Sequence, residues 1–197
     1  MKPAAISEAK EHLERATEAV ESMRAAKVRR GFERAWFDFL VHYDCIYEKL
    51  KTGTRYTDSD RKWYRGVEKF RDRDELLNYL HHARDARSHG LSTGWQLKAP
   101  VLKVLDDPTY KVPPERKGKE LILRMPVKGG QNFAFQMTMS KGVQLTSVID
   151  DRYKTEFPVP RFYLGKRIRD GKIHDLLASV LVFLAALIED ADKLPKN

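Results

Sequence analysis

The chain has 197 residues, 42% of them apolar, with 37 Lys and Arg against 28 Asp and Glu, a formal net charge of +9 and a pI near 9.6. That length and composition suit one folded domain with a buried core, or one domain carrying an inserted subdomain, and the basic balance favours anionic partners, nucleic acid before a membrane surface. Cys45 is the only cysteine, which excludes an intrachain disulfide framework and a cysteine-based zinc site and fits a reducing, cytoplasmic setting.

Met1 to Ala19 carries polar and charged residues at helical spacing and lacks the apolar core of a secretory signal. Ser7 can cap a first helix in which Leu13, Ala16, Val20 and Met23 recur every three or four residues, ending near Lys27 to Gly31. A second helix follows, with Phe32, Trp36, Phe39, Leu40, Tyr43, Ile46, Tyr47 and Leu50 as its buried face and Thr52-Gly53-Thr54 as its stop. This is the expected aromatic spine of the core.

Asp58 or Ser59 is placed to cap a short helix carrying Trp63, Val67 and Phe70. Asp74 then caps a fourth helix whose Leu76, Leu77, Leu80 and Ala83 face inward and which Gly90 closes. From Trp95 onward the residues turn β-branched and aromatic, in short runs split by turn signals. The expected strands are Val101 to Leu105, Leu121 to Pro126, Phe133 to Met139, Val143 to Ile149 and Thr155 to Val159, the third and fourth joined by a tight hairpin at Ser140 to Gly142. Gly129-Gly130 reads as a strand turn, since it lacks the Lys and Ser or Thr of a phosphate-binding loop.

A last helix, Lys172 to Leu194, is apolar nearly all round and is expected to lie centrally in a bundle. Its apolar run, Leu176 to Ile188, is shorter than the roughly 20 residues a membrane helix needs, so no membrane association is expected. The fold class is therefore α+β: a mainly α-helical bundle from residues 1–94 and 168–197, with a small antiparallel β subdomain, 95–167, inserted between them.

The candidate site lies on the fourth helix, in Tyr79-Leu80-His81-His82-Ala83-Arg84-Asp85-Ala86-Arg87-Ser88-His89-Gly90. On a helical wheel Asn78, His82, Asp85 and His89 form a polar stripe opposite the apolar face, with His81 beside it and Arg84 at the border. Asp85 and His89 stand at i and i+4, so the carboxylate can hydrogen-bond the imidazole. Arg84 and His89 do not share one face of a continuous helix. To act on one phosphate they need fraying at Ser88 to Gly90, or a second copy of the motif across a dimer axis.

Arg84-Asp85-Ala86-Arg87-Ser88-His89 resembles the signature of the HEPN superfamily of helical ribonucleases and nucleotide-binding domains: an Arg, a polar residue, and a His four to six positions beyond the Arg. The run of helices on either side matches as well, whereas the β segment has no counterpart in the minimal family bundle. The resemblance implies a HEPN-like bundle and a metal-independent endoribonuclease that acts as a homodimer through the motif helix, often as a toxin or antiviral defence effector held by a cognate antitoxin or regulatory protein. Some family members are inactive and serve as interaction or nucleotide-binding modules.

The chemistry can be stated apart from the name. RNA supplies its own nucleophile, the 2′-OH, so cleavage requires a base, an acid for the 5′-oxygen and positive charge on the transition state. His89 can serve as base or acid, Arg84 as the clamp and Asp85 as support, with His82, Asn78, Arg87 and Ser88 placed to contact the substrate and no cofactor required. Arg169-Asp170-Gly171-Lys172-Ile173-His174 fits the same spacing, but Gly171 interrupts it and it begins a helix instead of ending one. A metal-dependent hydrolase is an alternative, with His82, Asp85 and His89 at i, i+3 and i+7 as ligands. His12, His42 and His174 are isolated in sequence. Three basic stretches interleave aromatics and are candidates for RNA contact: Arg61 to Arg65 with Lys69, Arg71 and Arg73; Lys111 to Arg124; and Arg161 to Arg167.

Overall fold

The structure, a computed structural model, describes residues 1–55, 57–89, 93–97, 101–105, 120–126, 132–138, 142–150, 154–169 and 173–195. It is mainly helical with small antiparallel sheets, an α+β arrangement. Five helices, α1 (Pro3–Ala25), α2 (Arg29–Gly53), α3 (Asp58–Arg73), α4 (Glu75–His89) and α5 (Ile173–Asp192), stand among the described residues. The strands there are β1 (Trp95–Leu97), β2 (Val101–Leu105), β3 (Glu120–Pro126), β4 (Asn132–Thr138), β5 (Val143–Leu145), β6 (Val148–Asp150), β7 (Thr155–Phe157), β8 (Phe162–Tyr163) and β9 (Lys166–Arg167).

The centre belongs to α2. Its eight expected core residues, Phe32 through Leu50, are all buried, and Trp36, Phe39, Tyr43 and Tyr47 run as a row of ring contacts. Full burial of one such side chain is worth about 1.5–3 kcal/mol, so the helix with the longest bulky stripe takes the middle, touching α1, α3, α4 and α5. α5 is not central, contrary to expectation. It lies mainly on α1, burying Ile173, Leu177, Val180, Leu184 and Ile188, while Val182 is 72% exposed. Phe183 extends its contact by stacking on Phe70, with centroids 5.6 Å apart.

Two helix starts also differ from expectation. α1 begins at Pro3 instead of at a Ser7 cap, because proline needs no N–H partner at the first helical position and the preceding Lys2 N–H donates to the Gly53 carbonyl at 3.2 Å. α3 is capped by Thr57, whose hydroxyl oxygen accepts from Asp60 N–H at 3.0 Å; Asp58 and Asp60 then sit in the first turn, where the helix dipole favours them. Its buried face is Asp60, Tyr64 and Arg71, with Trp63 half-buried and donating to Asp190 at 3.0 Å. At α4 the Asp74 cap forms as the sequence predicts, one carboxylate oxygen accepting from the N–H groups of Leu76 and Leu77.

The chain divides into two compact units, Met1–Trp95 with Leu145–Asn197, and Gln96–Gln144. The inserted unit is thus shorter than the 95–167 expected. Residues 145–167 belong with the helices because β6 and β8 pack on α4 and the Tyr79 hydroxyl lies 2.6 Å from the carbonyls of both Gly94 and Thr146. Within the inserted unit β4 is the middle strand of the antiparallel sheet β2-β4-β3, pairing Leu102 with Met137 on one side and Leu121 with Met137 on the other. With both edges of β4 taken, the hairpin expected between the third and fourth strands does not form; β5 pairs with β1 instead. The run expected as one strand, Val143 to Ile149, is split between β5 and β6, and β6 pairs with β7. The expected turns at Gly90, Gly129-Gly130 and Ser140-Lys141 lie outside the described residues.

Candidate functional site

The site is assembled where α4 crosses the aromatic stripe of α2. Leu76, Leu77, Leu80 and Ala83 are buried, and the Tyr43 hydroxyl donates to the Leu77 carbonyl at 2.9 Å, which fixes the register of the two helices. That register sets Asp44 of α2 against the polar edge of α4. The Asp44 carboxylate is nearly buried and meets two cation-forming groups: His81 Nδ1 lies 2.9 Å from Oδ1, and Arg84 Nε lies 3.6 Å from Oδ2. Arg84 also donates from Nη1 to Asp85 Oδ1 at 2.8 Å.

Burial alone raises the Asp44 pKa. The His81 hydrogen bond and the positive charges of His81, Arg84 and Arg71 outweigh it, and the carboxyl lies below its ordinary range. The ionised carboxylate only accepts, so the His81 ring donates from Nδ1 and, when neutral, keeps its lone pair on Nε2. The hydrogen bond to Asp85, against the opposing effect of burial and with help from the Asp44 charge, holds Arg84 still more firmly protonated. Arg84 Nε is buried and makes no hydrogen bond among the described residues. The neighbouring Cys45 thiol is pushed up by burial and by the Asp44 charge, which makes it a poor nucleophile.

The sequence-predicted residues separate into three groups. Arg84 and Asp85 come together, but Asp85 takes Arg84 as its described partner, where the sequence suggested His89. Arg87 turns away and pairs with Glu33 of α2 at 3.1 Å. His82 is stacked on Phe157 of β7, with centroids 3.6 Å apart, and meets His81 edge to face at 5.2 Å. Asn78, His82 and Asp85 are half-buried, so the polar stripe of the wheel is not an open face: β6 and β8 lie along α4. The side chains of Ser88 and His89 lie outside the described residues.

Asp44 and the role of His81 escaped the sequence reading. The available signal is that Asp44 stands four residues after Leu40 and three before Tyr47, a lone charge on an apolar stripe, which is costly unless partnered. Elsewhere, His12 and His42, isolated in sequence, meet at 3.0 Å between α1 and α2. Among the described residues no group of three or more His, Cys, Asp or Glu side chains gathers as a metal site, and His89 of the alternative metal set falls outside that search. No helix among them is long and apolar enough to cross a membrane.

Of the three basic stretches, the first is largely structural: Tyr64 is buried, and Arg71 lies over the Tyr47 ring at 5.2 Å and pairs with Asp72. Residues 111–119 of the second lie outside the described residues. The third forms the β8–β9 hairpin and is exposed apart from Tyr163. Comparison with protein-family models, with curated proteins and with solved structures finds no match for this chain.

Proposed function

We propose that this chain is a HEPN-like, metal-independent endoribonuclease that acts as a homodimer, the ends of two α4 helices meeting so that Arg84 and His89 of the two copies serve one scissile phosphate. The observation that carries the reading is the bracing of Arg84. A half-buried guanidinium held by Asp85 and set against the buried Asp44 is a preorganised cation, and preorganised charge lowers the barrier of phosphoryl chemistry. His89 of one copy takes the proton of the 2′-OH, the 2′-oxygen attacks phosphorus as the P–O5′ bond breaks, and the protonated His89 of the other copy gives its proton to the leaving 5′-oxygen, so that the products carry a 2′,3′-cyclic phosphate and a 5′-OH. Acid-base help of this kind is worth about 10²- to 10⁴-fold in rate. A toxin or antiviral defence role, with an antitoxin or other regulatory protein as partner, fits that modest chemistry.

A second reading, a non-catalytic HEPN-like interaction or nucleotide-binding module, is favoured by one feature: the Arg84 charge faces two carboxylates, which offset the positive charge that a transition state at phosphorus would need. End-labelled single-stranded RNA incubated in excess EDTA with the wild type, Arg84→Ala and His89→Ala separates the two. Cleavage by the wild type alone, leaving cyclic phosphate ends, supports the nuclease. An inactive wild type that stays inactive when Mn²⁺ or Zn²⁺ replaces EDTA supports the binding module, and activity that appears only with metal supports the hydrolase built on His82, Asp85 and His89.

A further inference from the structure

The segment from Lys154 to Arg169 carries five Lys and Arg and one carboxylate, Glu156. Its second half folds as a two-residue hairpin, Phe162 opposite Arg167 and Tyr163 opposite Lys166, closed by Leu164 and Gly165 at φ 49° and 72°. Both turn residues in the left-handed region match the twist of the strands, as in a type I′ turn. Residues paired across two antiparallel strands point to the same face, and successive residues to opposite faces. Tyr163 is buried and its hydroxyl donates to the Ser179 carbonyl at 3.2 Å, so Phe162 and Arg167 face solvent together.

The hairpin is anchored through its backbone. Glu75 accepts from the N–H groups of Arg161 and Phe162 at 2.7 and 3.2 Å, and Asp74 accepts from Leu164 N–H at 2.7 Å. The two carboxylates that open α4 are thereby occupied with main-chain donors. Arg161, Lys166, Arg167 and Arg169 are exposed and make no ion pair among the described residues, while Phe162 shows 44% of its surface. An exposed ring with a guanidinium directly opposite, on a fixed scaffold among further cations, suits a base and its phosphate. An anionic lipid surface also draws cations that flank apolar side chains; the ring and the guanidinium set directly across from each other are what favour a base and its phosphate over lipid.

We propose that the β8–β9 hairpin is a binding site for single-stranded RNA, in which a base stacks on Phe162 and a phosphate lies against Arg167 on the same face, while the exposed Arg161, Lys166 and Arg169 around the hairpin add to the positive field that holds the strand. The proposal rests on RNA being the polymer this protein handles, and it adds to the α4 motif a separate docking element. Its anchor at Glu75 stands nine residues before Arg84 on α4, a rise of about 14 Å along the helix axis, so one strand a few nucleotides long spans both.

The test is fluorescence anisotropy of the full chain with a labelled oligouridine about twelve nucleotides long, fully 2′-O-methylated so that it has no nucleophile and is bound without turnover. Phe162→Ala is expected to weaken binding roughly 5- to 100-fold. Arg167→Ala is expected to reduce the slope of log affinity against log salt by about 0.7. Both side chains are exposed, and an unchanged thermal transition verifies the fold of each variant. Wild-type affinity in both variants overturns the site, as does wild-type protein that ignores the oligonucleotide or prefers phosphatidylserine vesicles. Cleavage of unmodified RNA is scored separately: no cleavage with Phe162-dependent binding retires the nuclease and keeps the hairpin site, whereas cleavage with Phe162-independent binding does the reverse.

Discussion

His12 on α1 and His42 on α2 meet through their Nδ1 atoms, 3.0 Å apart, with their rings tilted by 34°. One ring must donate while the other accepts, so the contact survives only while at least one is neutral. Both imidazoles lie below their ordinary value of 6.5. Burial is the first cause in each; His42, Lys49 and Arg15 add to it at His12, and Arg15 at His42, against the carboxylates of Glu11 on the first and of Asp38 and Glu18 on the second. With folded-state values depressed, the unfolded chain takes up protons first, so this contribution is intact above about pH 6.5 and is lost as pH falls through the folded-state values. Denaturant midpoints measured between pH 8 and 5 are expected to fall across that window, and His42→Asn to flatten the fall. An unchanged profile in the variant refutes the pair as its origin.

Asp44 predicts a separate acid limb. Its carboxyl lies below the ordinary value of 3.8, so its stabilisation is present above that pH and is lost as pH falls through the folded-state value, well apart from the imidazole window. Asp44→Ala leaves the His81 Nδ1–H without its acceptor and removes one countercharge from Arg84. At pH 7 the loss is expected to be about 1–3 kcal/mol by chemical denaturation, smaller for Asp44→Asn, which keeps the volume and an acceptor. If Asp44 also positions the site, Asp44→Asn lowers the rate of RNA cleavage under conditions where the folded fraction is unchanged.

What could be seen beforehand was whatever is encoded within one helix or one strand, β2 at Val101–Leu105 among them. The stripe from Phe32 to Leu50, the inward face of α4 and the Asp74 cap all follow from spacing, because a 3.6-residue period converts directly into a buried side. The contacts that escaped join residues far apart in sequence: Asp44 and His81 in the candidate site are 37 positions apart, and Arg161 and Glu75 at the hairpin anchor are 86 apart. No local period encodes such pairs; only the register of one element against another creates them. The same holds for β4, whose two neighbours were settled by sheet pairing and not by the nearest turn signal, and for α5, whose all-round apolar sequence concealed that bulkier rings on α2 already filled the centre.

Tyr79 of α4 ties Gly94 and Thr146 together. The Tyr79 hydroxyl, with one proton for the Gly94 and Thr146 carbonyls, serves both, while Thr146 N–H donates to Gly94 at 3.0 Å. Tyr79→Phe is expected to cost about 1 kcal/mol. Gly94 has φ 71°, and an added Cβ would stand 3.1 Å from both the Tyr79 hydroxyl and Val148, so Gly94→Ala is expected to cost roughly 1–3 kcal/mol. Gly66→Ala is the control: that glycine lies inside α3 with open space around its Cβ position, and the change is expected to stabilise by about 0.5–1 kcal/mol. Equal losses at the two glycines, read from thermal denaturation, contradict the argument.

Leu164 carries a cost that can be removed. It holds φ 49° at the first turn position of the β8–β9 hairpin, where a side chain with a Cβ is disfavoured by roughly 1–2 kcal/mol, and it is 42% exposed, so little apolar burial offsets that cost. Asn tolerates this conformation and, with Gly165 after it, completes the preferred pair for a type I′ turn. Leu164→Asn is therefore expected to raise stability by about 0.5–1 kcal/mol while keeping the backbone N–H that donates to Asp74. Amide exchange distinguishes this from a general surface effect: slower exchange confined to the hairpin amides, those of Leu164 and Ile168 among them, supports it, and a midpoint lower than that of the wild type shows that the leucine side chain packs more than its exposure indicates.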